Sequence, residues 1–387
     1  MAVLDNLVLN VALPTISRDL GATTTQLQWI VSAYTLVFAS LQITAGGLGD
    51  RFGRRRWFML GLALFTGASL VGALSQNMAM LIFARTLQGL GAAFIMPLSL
   101  SIIAAAFPPE ERGRALGIWG AISVSGLAFG PIIGGALVDL ASWHWAFGIN
   151  IPIGLLALVV TGLVVRESRD ESGTVATDIP GTLLVTGAVA TLVWGLIEAG
   201  NRGWTDPLIL AALAVSGHLF ALFIAVEART ARPMVPLRFF RSRTFTGANV
   251  VALAVSFLIA GVGFFMTLYQ QNIHGFSAVR SGLALLPMVT MMMVGSPLSG
   301  ALIGRVGPSK LTAFGMVVAG IGTLLLLRGG PHAPYLAIVP ALVVMGLGMS
   351  LIFTPSTTAV LNSVESEKSG VASAVNGAIR EIGAAVS

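Results

Sequence analysis

Asp5 lies in LDNLVLNVALP (Leu4 to Pro14), a carboxylate set among apolar side chains. Further on, RTLQGLGAA (Arg85 to Ala93) places an arginine and, nearly one helical turn later, Gln88 in an equally apolar run. A charge in hydrocarbon costs at least about 2.5–3.5 kcal/mol on insertion scales, so Asp5 and Arg85 are functional candidates by default. A carboxyl group withdrawn from water suits the loading and release of a proton. The plainer reading has Asp5 starting a helix near a membrane surface, where an acid favours the dipole. For Arg85 it is a side chain that snorkels to the interface.

Two glycine-rich stretches raise a different chemistry, that of close backbone approach. In GGLGDRFGRRR (Gly46 to Arg56), Gly46, Gly49 and Gly53 permit a tight reversal and close helix contact. Asp50 there can face a helix N-terminus, and Arg54 can pair with a carboxylate such as Glu110 or Glu111. In GLAFGPIIGG (Gly126 to Gly135), Gly126, Gly130 and Gly134 are spaced by four and form one smooth stripe. Such stripes let helix backbones pack in lipid, where apolar side chains gain little from meeting one another. Pro131 lacks an N–H and clashes with the carbonyl of Leu127, which bends a helix. Gly117, nine residues before Gly126, points about 180° away, so that stripe does not account for it.

Other residues carry less. Met288 and Met291 to Met293 offer an adaptable apolar surface or plain packing. His144, His218 and His274 are scattered without metal spacing, and Glu198 and Glu227 sit at span ends where solvated carboxylates are ordinary. No G-x-G-x-x-G or Walker spacing follows a strand, so the expected driving force is an ion gradient rather than ATP. The chain has no cysteine, which excludes disulfides and thiolate metal sites. No cofactor is expected.

The elements that must position these residues are membrane spans. Of 387 residues, 55% are hydrophobic and only 10% charged, against about a quarter charged in soluble domains. Apolar runs between charged or Gly/Pro-rich breaks fall at 1–17, 27–48, 57–75, 79–106, 115–138, 146–165, 179–198, 207–226, 246–270, 282–303, 310–328 and 335–360, with a further start near 370. With the loop at 49–56 in the cytoplasm, seventeen basic residues face inward and four outward, and Arg85 lies within a span. That bias sets the topology and spreads the charge over cytoplasmic loops, which argues against a nucleic-acid partner. No cleavable signal peptide is visible. The first span is short and the last begins too late to cross comfortably, so both ends read as cut. GALIGRVGPSK (Gly300 to Lys310) repeats the earlier loop: Gly46 aligns with Gly300, Leu48 with Leu302, Arg51 with Arg305 and Gly53 with Gly307. Asp50 meets Gly304, so the second copy is degenerate. A repeat with the same sidedness fits two halves related about the membrane normal.

These residues together resemble the major facilitator superfamily. GGLGDRFGRR is similar to its loop signature between the second and third spans, and RTLQGLGAA to its fourth-span motif. Gly117, Gly126, Gly130, Pro131, Gly134 and Gly135 resemble its fifth-span antiporter motif. LDNLVLNVALP is similar to the first-span motif of the fourteen-span drug:proton antiporters, with Leu7 where Thr is usual. WHWAFGINIPIG (Trp143 to Gly154) resembles the start of their sixth span, with His144 where Arg is usual. GVASAVNGAIREIG (Gly370 to Gly383) resembles the start of their thirteenth.

The resemblance implies an all-α polytopic membrane protein with two pseudo-symmetric six-helix halves. The first would be residues 1–165, the second 231–387 and incomplete, with two additional helices in 166–230. It implies a proton-coupled exporter of hydrophobic or cationic small molecules in the bacterial plasma membrane, monomeric and surrounded by lipid. Asp5, Arg85 and Gln88 would couple protons. Gly46, Asp50, Gly53 and Arg54, with the glycines and Pro131 of the fifth span, would form the conformational gate. A dedicated exporter or importer of one metabolite, lipid or antibiotic stays open, as does an inactive fragment.

Overall fold

The computed structural model describes residues 1–169, 179–230, 233, 235–276, 278–330 and 333–386. The helices are α1 (Ala2–Leu20), α2 (Thr24–Phe52), α3 (Arg54–Ala73), α4 (Met78–Ala106), α5 (Pro109–Leu140), the one-turn α6 (Trp145–Gly148) and α7 (Asn150–Val164). They continue with α8 (Ile179–Arg202), α9 (Pro207–Arg229), α10 (Arg243–Asn272), the short α11 (Ala278–Leu283), α12 (Leu286–Val306), α13 (Pro308–Leu325), α14 (Tyr335–Asn362) and α15 (Ser369–Val386). Each span read from hydropathy has its helix, the sixth being α6 and α7 in succession. Among the described residues, ten helical segments are long and apolar enough to cross a membrane. α1, α5 and α15 fall outside that set. Polar residues dilute α1 and α15, and some of these turn inward: Asp5 of α1 and Asn376 of α15 are buried.

Local chemistry sets the ends. Thr23 and Gln26 form a reciprocal capping box at the start of α2, Asn77 caps α4, and Asp206 followed by Pro207 starts α9. Gly53, between α2 and α3, has φ 119°, and Gly307, between α12 and α13, has φ 87°. A side chain at either would be strained. The aligned glycines of the sequence repeat thus make the same turn.

The repeat extends to packing. Gly46 of α2 lies so close to Gly370 of α15 that a Cβ on it would run into the Gly370 carbonyl oxygen. Gly300 of α12 meets the Gly113 carbonyl of α5 in the same way. Each copy therefore brings its helix backbone-to-backbone with a helix from the other end of the chain.

α5 carries glycines on two faces. A Cβ on Gly126, Gly130 or Gly134 would stand 3.1 Å from Leu4 N, 2.6 Å from Leu7 Cβ and 2.9 Å from Val8 Cα, all of α1. Gly117 answers to the opposite neighbour, since its Cβ would lie 2.7 Å from Ser296 O of α12. The half-turn offset seen in sequence is thus the geometry of a helix clamped between α1 and α12. Gly135 is buried. α5 runs through Pro131 without interruption, but the side chains of Pro131 and Leu127 lie outside those described, and so does the expected bend.

α8 and α9 pack on each other, and α8 lies against α2 through Thr44–Thr186 (3.0 Å) and Gln28–Asn201 (2.8 Å). Ile43, Val189, Phe223, Phe245 and Val375 share one buried cluster there. Met288 and Met292 are buried with Leu342, Met345 and Met349, which makes them packing residues of α12 and α14.

Gly130→Leu should overpack the α1–α5 seam at about 1–3 kcal/mol. We expect a lowered thermal midpoint for the purified protein and loss of function in a chain that still inserts. A midpoint equal to wild type would show that the seam has slack.

Candidate functional site

Packing α1 onto the glycine stripe turns Asp5 into the bundle, where its side chain is 1% exposed. Two helices supply its three donors. Arg85 Nη1 of α4 donates to Oδ2 at 2.5 Å, Gln88 Nε2 to Oδ1 at 3.1 Å, and Asn150 Nδ2 of α7 to Oδ1 at 2.5 Å. Arg85 is fully buried and uses its remaining donors as well. Nε donates to the Ile30 carbonyl at 3.1 Å, Nη1 to Gln88 Oε1 at 2.8 Å, and Nη2 to Asn6 Oδ1 at 2.5 Å. The guanidinium carbon lies 4.4 Å from the centre of the Tyr34 ring on α2, a cation–π contact. Gln88 Nε2 also donates to Ser69 Oγ on α3 at 2.8 Å. Asp5, Arg85 and Gln88, far apart in sequence, form one network reached by α1, α2, α3, α4 and α7. Arg85 points inward, not to the interface.

The burial explains the density of partners. Two charges taken out of water each lose several kcal/mol of hydration, which their attraction repays only when the remaining lone pairs and protons are also satisfied. Asn150, Asn6, Tyr34 and Ser69 complete that shell, and sequence reasoning assigned none of them. Asn150 did carry a signal, as a polar amide inside an apolar span.

A second network ties the helices together where α2 ends and α15 begins. Asp50, fully buried, accepts from Gly370 N (3.0 Å) and Val371 N (2.9 Å), so its charge faces the first turn of α15. Arg54 does not pair with Glu110 or Glu111. Its Nε donates to Asp50 Oδ1 at 2.8 Å, and Nη2 to the carbonyls of Ser366 (2.6 Å) and Glu367 (2.9 Å). The reason is proximity: Asp50 sits one turn earlier, and the loop before α15 closes over both. Gly370 is obligatory here, because a Cβ would fall 2.5 Å from Asp50 Oδ1. Arg112 at the start of α5 reaches the same loop through Asn362 Oδ1 (3.2 Å) and Ser366 Oγ (3.0 Å). Gly53 supplies the reversal that carries Arg54 back. Glu167 accepts from the backbone N–H groups of both Arg55 and Arg56 (3.0 and 3.2 Å), which ties the start of α3 to the segment after α7.

One reading of the acids changes. Glu227 is not a solvated span end: it is 3% exposed and its Oε1 accepts from Val235 N at 3.3 Å. A further acid, Glu381, lies inside α15, half-buried. Beside it Arg380 Nη2 donates to Thr357 Oγ1 (3.1 Å), and its guanidinium lies 4.1 Å from the Phe353 ring centre. Phe353 in turn stacks on Trp119 of α5, with centroids 6.4 Å apart.

Removing Arg85 leaves Asp5 buried without its counter-ion, so Arg85→Ala should destabilise by about 3–5 kcal/mol. Asp5→Asn keeps one acceptor but strands the Arg85 guanidinium, which cannot give up its proton, so it should cost a similar amount. Thermal unfolding of the purified variants reads both, and a midpoint equal to wild type for either would contradict this network. At the second centre, Asp50→Asn removes a charged acceptor worth about 1.5–3 kcal/mol, or roughly tenfold to a hundredfold in the closed-to-open ratio of that end. Spin labels at Arg56→Cys and Glu367→Cys, in a chain with no native cysteine, read that ratio. An unchanged distance distribution would remove Asp50 as a latch.

The Major Facilitator Superfamily family model matches residues 1–387. The chain is 37% identical to the Tetracenomycin C resistance and export protein of Streptomyces glaucescens, over 99% of this chain and 71% of that one. It is also 37% identical to the Multidrug resistance protein Stp of Mycobacterium tuberculosis (strain CDC 1551 / Oshkosh), over 100% of this chain and 72% of that one. Among solved structures it is similar in fold to the human organic anion transporter MFSD10 (TETRAN). There the TM-score is 0.68 at 16% identity, covering 99% of this chain and 89% of the other. With its membrane-capable helices and whole-length match, the chain belongs to the Major Facilitator Superfamily, a family of multi-pass membrane transporters of small molecules.

Proposed function

We propose that the protein exports amphipathic or cationic organic compounds across a bacterial plasma membrane in exchange for protons, by alternating access. The relatives named for resistance and export support the direction of transport. The single observation that carries the coupling is the buried Asp5, bonded at once to Arg85, Gln88 and Asn150. The basic loops face the cytoplasm on this reading, and the chain works as a monomer.

In this account residues 1–165 and 231–387 rock against each other, with the helices of 166–230 alongside. Protonation of Asp5 removes the charge that holds Arg85 and slackens the tie between α1, α4 and α7. α5 connects that change to the seam between the halves, because its stripe seats α1 while Gly113 and Gly117 seat α12. Asp50, Arg54 and Arg112 hold the cytoplasmic end shut until the balance changes. Proton and substrate each shift the equilibrium only by their differential affinity for its two states.

Efflux of ethidium from energised cells of an efflux-deficient host, with and without an uncoupler, tests the reading. Wild type should show uncoupler-sensitive efflux, and Asp5→Asn should fall to background at equal membrane abundance. Proton-driven efflux that survives in Asp5→Asn would rule out the assigned coupling site.

A further inference from the structure

A cavity of about 270 Å3 opens between α10, α13 and α14, away from both networks. Its two ends differ in chemistry. Arg243, Thr244, Ser309 and Thr312 line the end where α10 and α13 begin. Val251 and Met316 line it about 12 Å further along those helices, at 1.5 Å per residue. Arg243, Thr244 and Met316 are exposed, so in a bilayer the cleft opens sideways to lipid.

Arg243, the charged residue of the lining, makes the polar end positive. Arg241, Arg305 and Lys310 flank Arg243 and Ser309 in sequence or along the adjoining helix ends, and all are exposed. Among the described residues none of these four cations forms an ion pair with a carboxylate. Neither α10 nor α13 carries an acid in its first turn to offset the positive helix end. A cleft with a cationic, hydroxyl-bearing mouth at one helix end and an apolar floor matches a phosphate joined to an acyl chain. Basic pockets between spanning helices take anionic lipid headgroups for this reason.

We propose that this cleft holds one anionic phospholipid of the leaflet that faces the α10 and α13 starts. Its phosphate lies against Arg243, Ser309 and Thr312, and an acyl chain runs down over Val251 and Met316. The bound lipid would brace α14 from outside. Ser356, which lines the inner wall, also accepts from Arg380 Nη2 at 3.4 Å, so the cleft adjoins the side chains that hold Arg380.

The test reads lipid retention and not transport, so its outcome is separate from that of the efflux reading. The full chain is reconstituted in equimolar phosphatidylglycerol and phosphatidylcholine and extracted gently, and native mass spectrometry counts the lipids kept. Wild type should keep phosphatidylglycerol about fivefold better than phosphatidylcholine, and Arg243→Gln should lose that preference. Met316→Trp, which fills the apolar end with Arg243 in place, should reduce retention of phosphatidylglycerol, while Arg328→Gln at the far end of α13 should change nothing. Excess inorganic phosphate should not displace the lipid. Equal retention of both lipids by wild type would overturn the proposal. So would a preference that survives Arg243→Gln, retention that survives Met316→Trp, or displacement by phosphate alone.

Discussion

A carboxylate and a guanidinium withdrawn from water must answer every lone pair and proton between them, and the amino-terminal helices are arranged around that demand. Asp5 takes donors from α4 and α7, and Arg85 spends its own on α1, α2 and α4 and lays its face on Tyr34. Lipid offers no substitute for a missing partner, since an unsatisfied polar group in hydrocarbon costs several kcal/mol. The helices therefore have to approach closely enough for short side chains to meet. Glycine makes this possible: with Gly126, Gly130 and Gly134 facing it, α1 comes near enough to α5 to settle at the depth of Arg85.

The same economy operates at the end where Asp50 lies. There a carboxylate is met by backbone N–H groups of α15 together with the Arg54 side chain, and Gly46 and Gly370 let the two backbones touch. Two buried acids are thus solved in two ways. One is enclosed by the amino-terminal helices, and the other spans the seam between helices from opposite ends of the chain. α5 touches both arrangements, through its stripe on α1 and through Arg112 on the loop before α15. A proton-dependent change at Asp5 has a mechanical route to the seam along a single helix.

Much of this was legible in sequence, for physical reasons. Span positions follow from runs of apolar residues, because lipid imposes that pattern on the chain directly. Asp5, Arg85 and Gln88 stood out because charge and amide are costly in such runs, though nothing local showed that they meet. Gly53 and Gly307 announced their turns through spacing alone. What stayed hidden depends on tertiary approach. Gly117 looked unexplained because its partner, the Ser296 backbone on α12, is distant in sequence. Arg54 was assigned to Glu110 or Glu111 on charge, yet it prefers Asp50 and two carbonyls that carry no sequence signature. Glu227 looked solvated because a span end in hydropathy becomes buried once the following segment folds over it.

The central claim is that Asp5 carries the exchanged proton, and proton release on substrate binding tests it most directly. Purified protein in weakly buffered detergent with a pH-indicator dye, titrated with tetraphenylphosphonium, should release protons as the cation binds, while Asp5→Asn should bind it and release none. Undiminished release from Asp5→Asn would contradict the account.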